Sequence, residues 1–219
     1  MGKTTIFQPE LATIDEQGFR LMRSPFHGRT IRGFSIEGLA RHYYGYFSRQ
    51  IDALNERMKL LGESPRELVE LQQSRDVYLR NYSANVFNHC FWFEQLTERK
   101  VEMPESLEAL FRKHFGDFRA TVREHAATNM GSGFLWVYAR GSDVYMRMCP
   151  NALNPLWRDT PAPWQGSPLF CIDLWEHAWY MDYTSCYEYV NGILDDCTDW
   201  EVVTERAIEY GILQQPPRD

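Results

Sequence analysis

The sequence predicts an α+β protein, an N-terminal antiparallel helical hairpin followed by a mixed half. Three observations carry this. Apolar residues recur at helical spacing across residues 35–96. Residues 133–139 and 144–148 then flank a Gly141-Ser142 turn, as in a strand pair. The composition, 44% apolar and 24% charged with 14 glycines and 11 prolines, is that of a chain that buries a core.

The elements follow in order. Residues 1–34, with Pro9, Pro25, Gly28 and Gly33, show little periodicity and read as an irregular arm. Ile36, Leu39, Tyr43, Tyr46, Phe47, Ile51, Leu54 and Met58 predict a helix to about Leu61, which Gly62 stops. Ser64-Pro65-Arg66-Glu67 has the form of a capping box with proline at the first helical position, and predicts a second helix running, with a break, to about Leu96. The hairpin domain is thus residues 35–99, and residues 100–104 are a linker. The C-terminal domain, residues 104–219, opens with a helix over residues 107–127. Strands follow at residues 133–139 and 144–148, then a proline-rich loop at 150–166 and a short strand at 169–172. Helical segments at residues 175–183, 186–194 and 200–210 close it, the last opened by a Thr198-x-x-Glu201 box.

Composition excludes several functions. No apolar run approaches a membrane span, and no apolar signal-peptide core is visible. Net charge is −7, from 23 basic and 30 acidic residues, so the charge gives no general reason to bind nucleic acid. The five cysteines, Cys90, Cys149, Cys171, Cys186 and Cys197, form no C-x-x-C pair and fit a reduced, intracellular chain. No G-x-S-x-G elbow supports a nucleophilic triad.

The chemistry rests on histidine. His42 and His89 stand in aromatic stretches, one on each long helix, and Asp173-x-x-x-His177 follows a strand. A single histidine on an apolar helix face is most often a hydrogen-bonded core residue. The combination is what changes the odds: one histidine on each long helix, then Asp and His after a strand. His114 and His125 lie on a solvated helix face and are left aside.

Longer motifs accompany the four. Asn85-Val86-Phe87-Asn88-His89, Gly131-Ser132-Gly133-Phe134-Leu135-Trp136 and Asp173-Leu174-Trp175-Glu176-His177-Ala178-Trp179-Tyr180 together resemble the iron/manganese superoxide dismutase family. The last is close to its D-x-W-E-H-A-[FY]-[FY] signature, departing only where Trp179 replaces Phe or Tyr. The resemblance implies a three-stranded antiparallel sheet in the C-terminal domain. It also implies one iron, preferred, or manganese ion on His42, His89, Asp173 and His177, with Trp136 and Trp175 as a dry wall. Glu176 would reach a partner's metal-ligand histidine across a dimer interface near Tyr180.

Departures surround this ligand set. Gln50 stands at the family's gateway tyrosine position and Tyr46 at its gateway histidine position. Asn85 replaces the glutamine of iron-type members, and the strand-to-loop segment reads Asn151-Ala152 where manganese-type members carry a glutamine or histidine. Trp92 and Phe93 interchange the aromatic order, and Thr184 stands where an arginine is usual. Two functions are therefore expected. One is a divergent dismutase converting superoxide to dioxygen and hydrogen peroxide, with Arg41 and Arg49 attracting the anion. The other is a dismutase-fold structural subunit, as in the mitochondrial small ribosomal subunit, with the metal site kept as a clamp. Either would act as a homodimer or with a paralogous chain, in mitochondria if the source is eukaryotic.

Overall fold

The computed structural model describes residues 10–128 and 131–215. The first nine residues of the predicted arm, and the last four of the C-terminal domain, lie outside them. Residues 22–34 of the arm are irregular, but the stretch before them is not. It carries a hairpin, β1 (Ala12–Asp15) against β2 (Gly18–Leu21), with Ala12 opposite Leu21 and Asp15 opposite Gly18. Asp15 Oδ1 accepts the Gln17 N–H at 2.8 Å, and Gly18 takes φ +129°, which a side chain would resist. Asn55 then clasps the hairpin, accepting from Phe19 N and donating to Phe19 O, both at 2.8 Å. Strands of four residues leave too short an alternation to read, and the clasp comes from a distant helix.

The first predicted helix has three parts: α1 (Ile36–Ala40), a π-helical turn (Arg41–Phe47) and α2 (Ser48–Leu61). Ser35 Oγ caps it by accepting Gly38 N–H at 2.9 Å, and Gly62, at φ +65°, ends it. The Ser64 box does not start the second helix. One turn, α3 (Leu68–Leu71), begins after Glu67, and the long helix is α4 (Val77–Glu94). Asp76 wins as cap because its Oδ1 takes Leu79 N–H at 2.8 Å while its carboxylate is locked by Arg57. That ion pair ties the near ends of α2 and α4, while His42 and His89 meet farther along, so the two helices run antiparallel. From Ser83 to Phe93 every residue of α4 is buried, as expected of a helix surrounded on all sides.

Beyond the linker, the predicted single helix is two, α5 (Glu105–Phe115) and α6 (Phe118–Ala127). Gly116 turns the chain at φ +69° and Asp117 Oδ1 recaps it on Ala120 N–H at 2.9 Å. The sheet is three-stranded and antiparallel, as expected, in the order β4 (Asp143–Pro150), β3 (Gly133–Arg140), β5 (Ser167–Asp173). Central β3 is buried except at Arg140. Residues 175–183, read as helical, supply only a 3₁₀ turn (Glu176–Ala178). α7 (Cys186–Gly192) runs into a second π-helical stretch (Ile193–Cys197), and α8 (Trp200–Glu209) ends the fold. Asp199, not Thr198, caps α8; the Thr198 hydroxyl is spent on Ile193 O at 2.8 Å.

One aromatic core, including Trp92, Trp136 and Trp200, runs through both halves. Gln95 joins them, donating to Cys171 O at 2.5 Å and accepting from Cys171 N at 3.2 Å. All five cysteines are free, four of them buried. Among the described residues, no helix is long and apolar enough to cross a membrane.

Candidate metal centre

Four elements deliver the four predicted ligands to one point. His42 comes from the π-helical turn, His89 from the middle of α4, Asp173 from the end of β5, and His177 from the 3₁₀ turn that follows. β5 holds its register against β3, with Asp173 opposite Phe134. Asp173 Oδ2 stands 3.3 Å from His42 Nε2, 3.7 Å from His89 Nε2 and 3.4 Å from His177 Nε2. One ligand atom from each residue lies within 4.8 Å of the others.

All four of these atoms are buried without a hydrogen-bond partner. Orphaned buried polar atoms are costly, and four converging ones fit a cation. Donors each about 2.1 Å from one small ion, meeting at about 100–125°, are separated by about 3.2–3.7 Å, a range that holds the three distances from Asp173 Oδ2. Protonation agrees. Burial pushes the His42 imidazole below its usual range, and pushes His89 down to about 3, each against the pull of Asp173. His89 Nδ1 lies 2.8 Å from Asn85 O, which assigns the N–H to Nδ1 and leaves Nε2 as a lone pair. Burial would raise the Asp173 carboxyl, but His177 and His42 outweigh it and hold it well below the usual carboxylate range. Its Oδ1 accepts Trp175 N–H at 3.0 Å, which orients Oδ2 inward.

The rings around the cluster are partly those expected. Trp175 lies over His177 at 5.7 Å and 27°, and its Nε1 donates to Asn151 O at 3.4 Å. Trp136, expected in the same wall, sits one ring back: Phe134 meets His89 edge-on at 5.8 Å, and Trp136 packs behind Phe134 at 6.1 Å. Both interchanged aromatics, Trp92 and Phe93, pack on His42, at 5.0 and 4.8 Å.

Phe47 was not legible as a site residue. It stacks on His89 at 5.3 Å and 16°, beside Tyr46, which also reaches His89 at 5.3 Å. In an α-helix, at about 100° per residue, Phe47 would point about 140° away from His42. The π turn, closed by Ser48 N–H on Tyr43 O, brings the residue five places on back to the same face. Only a five-residue interval between buried aromatics and His42 could have signalled it.

The other expected positions fall around this core. The Asn85 side chain faces the Tyr46 hydroxyl, whose pKa burial raises. Gln50 is half-buried in α2, one turn beyond Tyr46. Ala152 O accepts Asn88 Nδ2 at 3.0 Å, so this loop meets α4 through backbone. Glu176 and Tyr180 are exposed, and Tyr180 N–H donates to Glu176 O at 2.8 Å. Arg41 pairs with Glu37, and the exposed Arg49 donates through Nε to Gly45 O.

Comparison with known proteins bears directly on this cluster. Residues 98–206 match the model for the C-terminal domain of iron/manganese superoxide dismutases. The chain is 31% identical to the iron superoxide dismutase of Escherichia coli strain K12, over 68% of the chain and 77% of that protein. It is 28% identical to the iron superoxide dismutase of Leptolyngbya boryana, over 79% of the chain and 89% of that protein. It is also 28% identical to the chloroplastic iron superoxide dismutase 3 of Arabidopsis thaliana, of whose length it spans 64%. With the strand order, the cluster and these similarities in agreement, the chain belongs to the iron/manganese superoxide dismutase family.

Proposed function

We propose that the protein is a metal-dependent superoxide dismutase with iron as its metal. The observation that carries this is the set of four unpartnered donor atoms from His42, His89, Asp173 and His177. A bound ion supplies the one-electron couple by which two superoxide anions and two protons become dioxygen and hydrogen peroxide. The residues do the rest. Two buried, neutral imidazoles offer lone pairs, and the ionised Asp173 carboxylate offsets one charge of the ion. Phe47, Phe93, Phe134 and Trp92 keep water from the inner side. Tyr46 keeps its proton at neutral pH and presents a hydroxyl beside the Asn85 amide. Iron is favoured because the relatives named above are iron enzymes. Exposed Glu176 and Tyr180, on the turn that carries His177, are free to meet a second copy, so the working form is proposed as a dimer.

Elemental analysis and a dismutation assay on one preparation test the reading. The expected result is near-stoichiometric iron with fast dismutation, in a dimer by light scattering. Bound metal with no dismutation would refute the activity and leave a structural clamp. No metal uptake would remove the site itself.

A further inference from the structure

We infer that the outer edge of β4 is a self-association surface, on which a second copy of the chain lays its own β4 antiparallel. β4 pairs with β3 in one unbroken register, from Gly133 opposite Pro150 to Arg140 opposite Asp143. One step beyond, Asn151 N–H donates to Ser132 O at 3.0 Å. Ladder bonds alternate along an antiparallel pair. Tyr145, Arg147 and Cys149 therefore turn their backbone groups to β3, and Val144, Met146 and Met148 turn theirs outward. Outside the sheet's own ladder, no backbone hydrogen bond among the described residues reaches those outward groups. The strand borders an open groove of about 460 Å³, walled by His114 and Phe115 of α5 and by Thr121 and His125 of α6.

Sheet edges are usually blunted by a short strand, a bulge, a lysine, an internal proline or a covering element. β4 has eight residues, the register shift of this sheet lies between β3 and β5, and Pro150 stands at the strand's end. The charges of the strand name the occupant. Asp143 and Arg147 are exposed, opposite in sign, and two places to either side of Tyr145. Among the described residues neither forms an ion pair; Arg147 lies over the Trp164 ring at 5.3 Å. With Tyr145 set opposite the second copy's Tyr145, each Asp143 meets an Arg147, and the outward groups of Val144 fall opposite those of Met146. A surface that matches itself in this way closes about a two-fold axis. β4 and β5 are opposite edges of the sheet, so the contact is separate from the dimer face proposed at Glu176, which follows β5. One strand pair buries less than the roughly 1,600 Å² of a standard interface. The contact is therefore reversible: it builds up with concentration and leaves dilute protein as the dimer proposed above.

The full-length chain carrying Tyr145→Cys tests the register. Residues directly opposite each other between ladder bonds have Cα atoms about 4.5 Å apart, within the span of about 4.4–6.8 Å that a disulfide bridges. Oxidised with diamide, Tyr145→Cys should form a covalent dimer on a non-reducing gel. Arg147→Cys, two residues on and more exposed, should not, nor should the parent, four of whose five free cysteines are buried. Sedimentation over a concentration series gives a second reading that needs no cysteine. The parent's mass should rise above its dilute value, Arg147→Asp should lose that rise, and Asp143→Arg combined with Arg147→Asp should regain it. Both positions are exposed, so these variants leave the core untouched. No covalent dimer from Tyr145→Cys, or equal yields from Tyr145→Cys and Arg147→Cys, would overturn the inference. A charge swap that fails to regain the rise would overturn it as well.

Discussion

Glu94, the last residue of α4, shows how much can rest on one side chain. Its Oε1 accepts the N–H groups of Glu10 at 2.7 Å and Leu11 at 3.2 Å, which fastens the N-terminal hairpin to the core. Burial pushes its carboxyl up to about 7 from 4.5, against those two N–H groups and Arg206. The folded chain therefore binds this proton more tightly than the unfolded chain does. That contribution to stability is complete below about 4.5 and is lost as pH rises through about 7. Thermal melts across that window should show the parent falling relative to Glu94→Gln as pH rises; parallel curves would mean that Glu94 titrates as an ordinary carboxylate. The four ligands were legible at this scale because the D-x-W-E-H-A pattern and the histidine on each helix are local features. Glu94 was not, since its proton depends on a segment 84 residues away.

Among the elements, the three strands of the main sheet were easier to read than the helices, whereas β1 and β2 were missed. β3 and β5 announce themselves as short apolar runs and β4 by following the Gly141 turn, and their boundaries moved little. Helix breaks depend on which cap wins, and Asp76, Asp117 and Asp199 each displaced or interrupted the predicted start for want of a visible partner in sequence. The loop after β4 is another long-range case. Asn154, fully buried, donates through Nδ2 to Gln72 Oε1 and Asn88 Oδ1, both at 2.8 Å. Its own carbonyl accepts the Thr160 hydroxyl at 2.6 Å. The proline-rich loop is thus clamped to α4 one residue before His89. Asn154→Leu would strand two buried acceptors, a cost on the order of 2–4 kcal/mol. A chain of this size should lose about 2–4 °C in Tm for each kcal/mol. A melt unchanged in Asn154→Leu would show that water replaces the amide.

For the whole molecule, charge opposes the proposed substrate. A net charge of −7 repels an anion, so approach depends on local cations. Arg49 is exposed, three residues beyond Tyr46 on the same helical face, with its Nε held by Gly45 O. Arg49→Glu changes the local charge by two units, about 0.8 kcal/mol at about 10 Å in water, or roughly a fourfold loss of kcat/KM for superoxide. Added salt should close the gap between the two proteins. Equal rates at low ionic strength would exclude Arg49 from the approach path.

That the ligands lie on four separate elements also governs when the site comes into being. His42 and His89 leave the ribosome first, and Asp173 is made about 84 residues after His89. At about 5–20 residues per second, that is about 4–17 s of synthesis. Through that interval the nascent hairpin carries two of its imidazoles and the apolar face of α4 with neither carboxylate nor sheet to meet them. The cell must load this protein after synthesis, and must shelter its first half until the second arrives.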